Sequence, residues 1–387
     1  MKDILIITSY FPPEIGAASN RIFHLAEGLK TDYNVSVLTP LPNYPTGKIF
    51  KGYKGKYKIT EDLGSVTVHR LWIYATISKH KLIRLFAMLS YSFSLIWFFL
   101  WHKIPNKVII QSPPLLVAFT SMFFLRFKKR KLILNISDLW PSAGYELGVL
   151  KQNFGYRLLQ KIERFNYRKA NLVLGQSEEI LTHVKKIVNP IETMLYRNYP
   201  DFTPPQIPQN ADTSNSKIKL VYAGLLGVAQ GVLKLCEAID FSNIEFHLYG
   251  SGAEEKAIIE FIKSNPQLPI VFHGRVSRDE LHKQLLKYDA TIIPLCNRIY
   301  GSVPSKIFEY ARLGLPIIYF GGGEGEDIIE KHKLGWVAKS GDYNALNALL
   351  QTLSKSDFND RLKRNIQEVS ITNFNFNTQL NLLKGNI

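Results

Sequence analysis

A short loop and the helix after it, residues 300–310, hold the residue types and spacing that point most directly to chemistry. Side chains between Gly301 and Ser305 are small, so main-chain amides can approach a ligand closely. The helical pattern that follows predicts a helix whose positive end points to the same place, which suits a phosphate. Glu309 stands about a turn inside that helix, where it can accept hydrogen bonds from paired hydroxyls. A phosphate followed by a diol outlines a nucleotide.

The elements around this loop read as strand, loop, helix, turn and strand, because apolar runs at 290–295 and 317–320 flank it. The start of the chain has the same alternation, with predicted strands at 3–8 and 35–39 around a loop that contains Gly16. In parallel sheets ligands bind at the carboxyl ends of strands. Gly16 stands alone in its loop, so the dinucleotide-binding fingerprint is absent there. The stretch 250–255 has Gly250 and Gly252 but lacks the third glycine, so a dehydrogenase is not predicted.

Two such α/β series follow each other along the chain. The stretch from 200 to 217 is rich in proline and small polar residues and is predicted to link them. We therefore predict an α/β protein of two Rossmann-like domains that face each other across a cleft, with boundaries at 1–200 and 201–370. A C-terminal segment, 371–387, is expected to cross back to the first domain.

Composition and charge limit the classes of protein to consider. With 46% hydrophobic and 21% charged residues the chain is predicted to fold, and two cysteines without metal-site or disulfide spacing indicate a reducing cytosol. No signal peptide is predicted, because the first apolar run is short and soon reaches two prolines. Residues 1–200 contain 28 Lys and Arg against 12 Asp and Glu, whereas 201–387 contain 20 of each, so the net +16 lies in the first half.

A one-sided positive field favours a polyanionic partner, either nucleic acid or an anionic bilayer, unless it is simply a basic soluble surface. The basic residues follow no recognisable nucleic-acid-binding pattern, so no nucleic-acid partner is expected. A segment at 48–58 interleaves lysines with aromatic residues. It is either a contact with headgroups or single strands, or an exposed loop.

An apolar run at 82–101 is long enough to span a bilayer, but it includes Arg84 and lies between strands of one predicted sheet. A helix lying on or dipping into the cytoplasmic leaflet is the preferred interpretation. A buried core helix is the second, and a true span the third.

Several motifs, taken together and in order, resemble the retaining GT-B nucleotide-sugar glycosyltransferases of family four. Within that family they are most similar to bacterial O-antigen and capsule transferases of the N-acetyl-L-fucosamine transferase group. The motifs lie at 10–16 with Arg21, 112–115, 138–141, 222–224, 229–231, 249–252, 274–276, 294–295, 304–310 and 314–316.

The resemblance implies transfer of a sugar from a UDP-sugar with retention of configuration. It implies that no metal and no cofactor are required. The donor would bind to the second domain and the acceptor to the first. It assigns the ribose hydroxyls to Glu309, although this residue could also be an ordinary helix-surface carboxylate. It assigns the base to the turn at Arg275 and Val276. The loop that would hold the diphosphate and the donor sugar comprises Ser302, Val303, Pro304, Ser305 and Lys306.

In the first domain the resemblance assigns the loop that admits the donor phosphate to Gly16. Asp138 would face the reacting sugar, with a helix cap as the alternative role. Asp138 and Lys306 are the predicted catalytic residues, Lys306 as the group that stabilises the departing UDP.

Two positions depart from the family. A glutamate is expected eight residues before Glu309, where Gly301 stands, and a basic pair is expected where Leu225 and Gln230 stand. Lys306, Arg275 and Arg298 are then the cations left to neutralise the diphosphate.

The acceptor implied by the resemblance is a polyprenyl-diphosphate-linked saccharide in O-antigen or capsule synthesis, at the cytoplasmic face of the inner membrane. The enzyme would be a peripheral or monotopic hexosyltransferase, and its donor a UDP-N-acetylhexosamine or deoxy analogue. Residues expected at the acceptor or membrane are Arg21, Arg84, Arg126, Lys128, Lys129 and Arg130. The alternative is a nucleotide-sugar epimerase-like GT-B enzyme that acts without a lipid acceptor.

Overall fold

The structure is a computed structural model that describes residues 1–78, 80–127, 129–207, 217–228, 230–296 and 298–387, without the side chains of Lys81 and Arg84. Part of the predicted linker, 208–216, lies outside the described residues. The chain forms two compact units. The first contains Met1–Asn198, Ile299–Ser302 and Asn377–Ile387, and the second contains Tyr199–Arg298 and Val303–Phe376.

The first unit is built on an eight-stranded sheet with the order β3-β4-β2-β1-β5-β6-β7-β8, parallel except for the antiparallel pair β3 and β4. Its strands are β1 (Lys2–Ile7), β2 (Tyr33–Pro40), β3 (Lys58–Asp62), β4 (Val66–Leu71), β5 (Lys107–Ser112), β6 (Lys131–Ile136), β7 (Leu172–Gly175) and β8 (Thr193–Leu195). The central strands are continuous apolar runs because both faces of the sheet are covered by helices.

The helices of the first unit are α1 (Ala17–Leu29), α2 (Lys81–Trp101), α3 (Leu115–Leu125), α4 (Ser142–Glu146), α5 (Phe154–Lys169) and α6 (Glu178–Ile187). On α1 the buried face includes Ile22, Leu25 and Leu29, the spacing that a helix packed on a sheet requires. Helix α6 is capped by Ser177, whose hydroxyl accepts a hydrogen bond from the Ile180 amide at 3.1 Å.

The second unit contains a six-stranded parallel sheet with the order β11-β10-β9-β12-β13-β14. The strands are β9 (Ile218–Leu225), β10 (Ile244–Ser251), β11 (Ile270–Gly274), β12 (Ala290–Pro294), β13 (Ile317–Gly321) and β14 (Gly335–Lys339). The helices are α7 (Val232–Ala238), α8 (Glu255–Ser264), α9 (Arg278–Leu285), α10 (Lys306–Arg312), α11 (Glu324–His332), α12 (Tyr343–Thr352) and α13 (Asp360–Asn373). Buried apolar clusters lie on both faces of this sheet.

The last helix, α14 (Phe376–Asn386), packs on the first unit along most of its length. The Gln379 side chain bonds both main-chain groups of Arg197, accepting from its amide at 2.7 Å and donating to its carbonyl at 2.9 Å. Leu380 lies against Gly28 of α1, where an added Cβ would come within 2.4 Å of it. The end of the chain is therefore fastened to α1 and to the segment after β8.

Helix α2 has one buried and one exposed apolar face. Tyr91, Leu95 and Phe98 pack in the core of the first unit. Large apolar side chains also lie on the exposed face, with relative exposures from 46% to 69%: Leu82, Leu85, Phe86, Met88, Phe93, Trp97, Leu100 and Trp101. None of the described helices has the length and apolar character to cross a membrane.

Candidate functional site

In the second unit, the loop before α10 presents main-chain donors at the carboxyl end of β12. Among the described residues, the amides of Val303, Ser305 and Lys306 have no hydrogen-bond acceptor, whereas the next three amides are used within the turn. Ile307 donates to the Pro304 carbonyl at 3.1 Å. Three free amides in four residues form a donor set suited to an anion.

The Lys306 ammonium lies at the carboxyl end of β9. It donates a hydrogen bond to the Ala223 carbonyl, which also accepts from the Tyr310 hydroxyl at 2.8 Å, and it lies 4.9 Å from the centre of the Tyr222 ring. Gly224 makes this position possible, because a Cβ there would come within 1.8 Å of Nζ. Burial lowers the pKa of Lys306 to about 8, and the charge of Glu309 opposes that shift.

Glu309 is held by two side chains of α9. Its Oε1 atom lies 2.8 Å from His282 Nε2 and 3.1 Å from Arg278 Nε. Burial alone would raise the pKa of Glu309, but the hydrogen bond from His282 and the charge of Arg278 bring it below its usual value. Both contacts use the same oxygen, and Oε2 accepts nothing from the described residues. An ionised carboxylate with one free oxygen can bind a diol.

The predicted base-binding turn precedes α9. Arg275 is exposed, and Val276 is half-buried against the apolar cluster that also contains Val303. Arg278 and His282 were not predicted as functional residues. Their four-residue spacing after this turn is the available sequence signal, because it places both on one face of a helix.

The segment Ile299–Ser302 belongs to the first unit, where two carboxylates bind its amides. Glu146 accepts from the Tyr300 amide at 2.8 Å and Glu179 from the Gly301 amide at 2.7 Å. The Ser302 amide donates to the Ile299 carbonyl. The Ser302 amide is therefore used within a turn, and the predicted donor-binding role of Ser302 stays a prediction.

Gly301 has no room for the glutamate that the resemblance leads one to expect. Its φ is +83°, and an added Cβ would lie 2.9 Å from Ile180 and 3.1 Å from Leu139. Any side chain would meet packed apolar groups in a backbone conformation that favours glycine. The departure from the family is thus accommodated in the packing of the first unit.

In the first unit, Asp138 follows β6 and is half-buried, and its carboxylate has no hydrogen-bond partner among the described residues. Burial raises its pKa, and the charge of Arg21 opposes that rise. Arg21 is only 5% exposed, so it does not contact a bilayer surface, and its predicted place at the acceptor stays a prediction.

Gly16 precedes α1 in extended backbone, and a Cβ there would be in ordinary contact with Tyr44 at 3.7 Å. Nearby, the buried Glu14 carboxylate accepts hydrogen bonds at 2.8 Å from the amides of Asn43 and Tyr44. Burial raises the pKa of Glu14, and these amides lower it in part. Glu14 therefore fixes the segment that lies against Gly16, a contact that the motif alone did not reveal.

The remaining basic residues follow α3. Arg126 lies 3.7 Å from the centre of the Phe123 ring and 4.0 Å from that of Phe127. Lys129 is exposed, and Arg130 is half-buried with a hydrogen bond to the Phe127 carbonyl at 2.9 Å. Lys128 and the side chain of Arg84 lie outside the described residues. In the described part of the chain, no three His, Cys, Asp or Glu residues are grouped to hold a metal.

One protein family is similar in sequence to the second half of the chain. Residues 205–369 match the family described as glycosyl transferases group 1. No curated protein sequence matches the chain.

Solved structures match its whole length at low sequence identity. Sucrose-phosphate synthase from Thermosynechococcus elongatus has a TM-score of 0.75 at 15% identity, over 100% of this chain and 98% of that one. HepE of Anabaena, solved with UDP and glucose, has a TM-score of 0.69 at 14% identity, over 100% and 99%. The lipopolysaccharide outer core galactosyltransferase WaaB has a TM-score of 0.68 at 13% identity, over 100% of both chains.

These similarities confirm the predicted fold class, two Rossmann-like halves of the GT-B type. The finer resemblance to the N-acetyl-L-fucosamine transferase group stays a prediction. For residues 205–369 the similarity extends to the sequence level, to the family described as glycosyl transferases group 1.

Proposed function

We propose that the chain is a retaining, metal-independent glycosyltransferase that moves a sugar from a UDP-sugar to a lipid-linked saccharide in O-antigen or capsule synthesis. The donor would be a UDP-N-acetylhexosamine or deoxy analogue. The enzyme would need no cofactor and would work at the cytoplasmic face of the inner membrane.

The observation that carries this proposal is the set of groups around α10. Three free amides and the Lys306 ammonium suit a diphosphate, and the free Oε2 of Glu309 suits ribose hydroxyls. These groups lie in the domain that matches group 1 glycosyltransferases. HepE, a protein of similar fold, was solved with UDP and glucose, which supports the choice of nucleotide.

The proposed reaction is a front-face substitution. The bond between the sugar C1 and the β-phosphate oxygen breaks, and the acceptor oxygen forms a bond to C1 on the same face. The acceptor proton passes to the departing phosphate oxygen. Lys306 and the loop amides stabilise the negative charge that develops on UDP, and Asp138 faces the reacting sugar.

Replacing Glu309 tests the donor site. In Glu309→Ala the ribose hydroxyls lose a charged acceptor, so the donor KM should rise about tenfold. Glu260→Ala, at an exposed glutamate of α8, is the matched control and should leave KM unchanged. Steady-state kinetics with a panel of UDP-sugars make the measurement, and an unchanged KM in Glu309→Ala would remove the ribose assignment.

Two further measurements test the finer chemistry. NMR of the fresh product should show the donor's anomeric configuration, and an inverted product would contradict the retaining mechanism. Activity should survive an excess of chelator, whereas loss that returns with a divalent cation would contradict metal independence.

The exposed face of α2 supports a membrane-bound acceptor. Apolar and aromatic side chains such as Phe93, Trp97 and Trp101 are more than half exposed, and basic residues follow the neighbouring helix α3. An apolar helix face with nearby cations is typical of proteins that lie in the headgroup region of anionic bilayers.

Flotation with vesicles of phosphatidylglycerol and phosphatidylethanolamine tests this surface. Trp97→Ser and Trp101→Ser together should weaken binding by at least about tenfold, because each tryptophan contributes apolar area. Phe154→Ser, at a residue that is 83% exposed on α5, is the control and should bind as the wild type does. Equal binding by all three proteins would contradict a bilayer contact through α2.

The epimerase-like alternative is separated by leaving out the acceptor. A transferase forms the transfer product only when a lipid-linked saccharide is present. Conversion of the UDP-sugar to its epimer without any acceptor would favour the alternative.

A further inference from the structure

A network of hydrogen bonds crosses the carboxyl edge of the first sheet and centres on Arg21. The two terminal nitrogens of its guanidinium donate to Gln176 Oε1 at 3.1 Å and to Gln111 Oε1 at 2.9 Å. Gln111 is 2% exposed and Arg21 5% exposed. A buried cation is usually hydrogen-bonded to a carboxylate, and here two neutral amides take that place.

Both glutamines also bond the residue that precedes Asp138. Gln111 donates to the Ser137 hydroxyl at 3.0 Å, and Gln176 donates to the Ser137 carbonyl. Each glutamine therefore connects the guanidinium on α1 to the main chain that carries Asp138. The cation and the start of the Asp138 loop therefore share the same two hydrogen-bonding side chains.

The network continues to the end of the chain. A terminal nitrogen of Arg197 donates to the Gln176 carbonyl at 3.2 Å, and the Gln379 side chain of α14 bonds both main-chain groups of Arg197. Gln176 is thus fixed through its side chain by Arg21 and Ser137 and through its main chain by Arg197.

We infer that Gln111 and Gln176 are positioning residues that hold the Arg21 guanidinium to the main chain just before Asp138, so that its charge acts on the Asp138 carboxylate. This inference rests on the proposed function for the role of Asp138. Arg21 on α1 and Asp138 after β6 act on each other electrostatically, and Tyr196 after β8 also acts on Arg21. Burial lowers the pKa of Arg21 to about 10, and the charge of Asp138 opposes that shift.

The test compares isosteric variants by the titration of Asp138 itself. In protein labelled with ¹³C at aspartate carboxyl carbons, the Asp138 signal is assigned by its loss in Asp138→Asn. Arg21→Met removes the cation and should raise the titration midpoint of Asp138 by about one pH unit or more. Gln176→Met and Gln111→Met should each give a midpoint between those of the wild type and Arg21→Met.

A control and a milder variant keep this test decisive. Gln160→Met, at an exposed position of α5, should leave the midpoint unchanged. If a buried glutamine variant fails to fold, Ser137→Ala removes the hydroxyl that accepts from Gln111 and should produce a smaller upward shift. Midpoints in both glutamine variants, or in Ser137→Ala, that equal the wild-type value while Arg21→Met shifts would overturn the positioning role.

Kinetics separate this inference from the proposed function. If both the proposed function and the positioning role are correct, the glutamine variants should change the pH dependence of kcat/KM. Its acid limb should move to higher pH together with the NMR midpoint of Asp138, while donor KM near neutral pH changes little. A shifted midpoint in a protein that transfers no sugar leaves the positioning role in place and removes the proposed function. If the protein transfers sugar but the Asp138 midpoint is unchanged in the glutamine variants, the proposed function stands and the positioning role is removed.

Discussion

The carboxyl edges of the two sheets differ in how their buried cations are hydrogen-bonded. In the second unit, Lys306 is held by a main-chain carbonyl and an aromatic ring, and three amides beside it are free. In the first unit, Arg21 is bound by two glutamines that are themselves anchored. One edge can give up its cation to a ligand and the other keeps its cation in place. We expect the first kind to bind an anion and the second to orient a reacting group.

The largest difference between the two edges is expected when each cation is removed. Lys306→Gln should raise donor KM roughly 30- to 160-fold, since a charged contact to phosphate contributes about 2–3 kcal/mol, with little change in thermal stability. Arg21→Gln should instead lower the free energy of unfolding by about 2 kcal/mol, because it leaves buried polar partners unpaired. Donor titration and thermal denaturation of both variants measure this, with the exposed Lys283→Gln as control. The reverse pattern would contradict the distinction.

Gly301→Ala should lower stability by about 2 kcal/mol. The substitution combines a positive φ with a Cβ placed 2.9 Å from Ile180. Denaturant unfolding measures the loss. Gly148→Ala is the matched control, because its φ is also positive but no atom lies within 4 Å of an added Cβ. If the two variants lose equal stability, the packing against Ile180 and Leu139 contributes nothing.

Gly224→Ala should weaken donor binding about tenfold without unfolding the protein. The added methyl would take the place of the Lys306 ammonium, the mobile end of a flexible side chain, which must leave the Ala223 carbonyl. Donor KM and melting temperature, measured together, check both parts. Combined with Lys306→Gln, the substitution should have no further effect on KM, and additive losses would show that Gly224 acts through another group.

The smallest expected effect is a pH dependence of donor affinity. A free-enzyme pKa of about 8 for Lys306 means that the cation is lost as pH rises through 8. Donor affinity should fall about fourfold between pH 7 and pH 8.5, and bound diphosphate should move this limb to higher pH in the kcat profile. Isothermal titration across this range measures it. The same decline in Lys306→Gln would assign the titration to another residue.

Sequence patterns predicted the fold because its strands and helices are long and periodic. The loop and helix at 300–310 were predicted to lie between two strands, and β12, α10 and β13 confirm that order. The free amides of Val303 and Ser305 agree with the small-residue loop, but the use of the Ser302 amide depends on a turn that composition does not specify.

What the sequence did not reveal are contacts between distant segments. Arg21 looks like a surface residue in a basic half of the chain, but it is buried, and Gln111 and Gln176, far away in sequence, accept its hydrogen bonds. Likewise, the carboxylates that bind Tyr300 and Gly301 come from α4 and from α6. The hydrophobic periodicity of a sequence predicts single helices and strands. It does not show which polar side chains of two distant elements will form hydrogen bonds with each other.

The contact between Lys306 and the Ala223 carbonyl has a consequence for selectivity. The Ala223 carbonyl already accepts a hydrogen bond from the ammonium, so any incoming molecule must outcompete it for Lys306. A diphosphate can do so because two negative charges attract Lys306 more strongly than one neutral oxygen. A neutral mimic of the nucleotide would leave the lysine where it is. Inhibitors of this site should therefore keep at least one negative charge near Gly224, whatever sugar they carry.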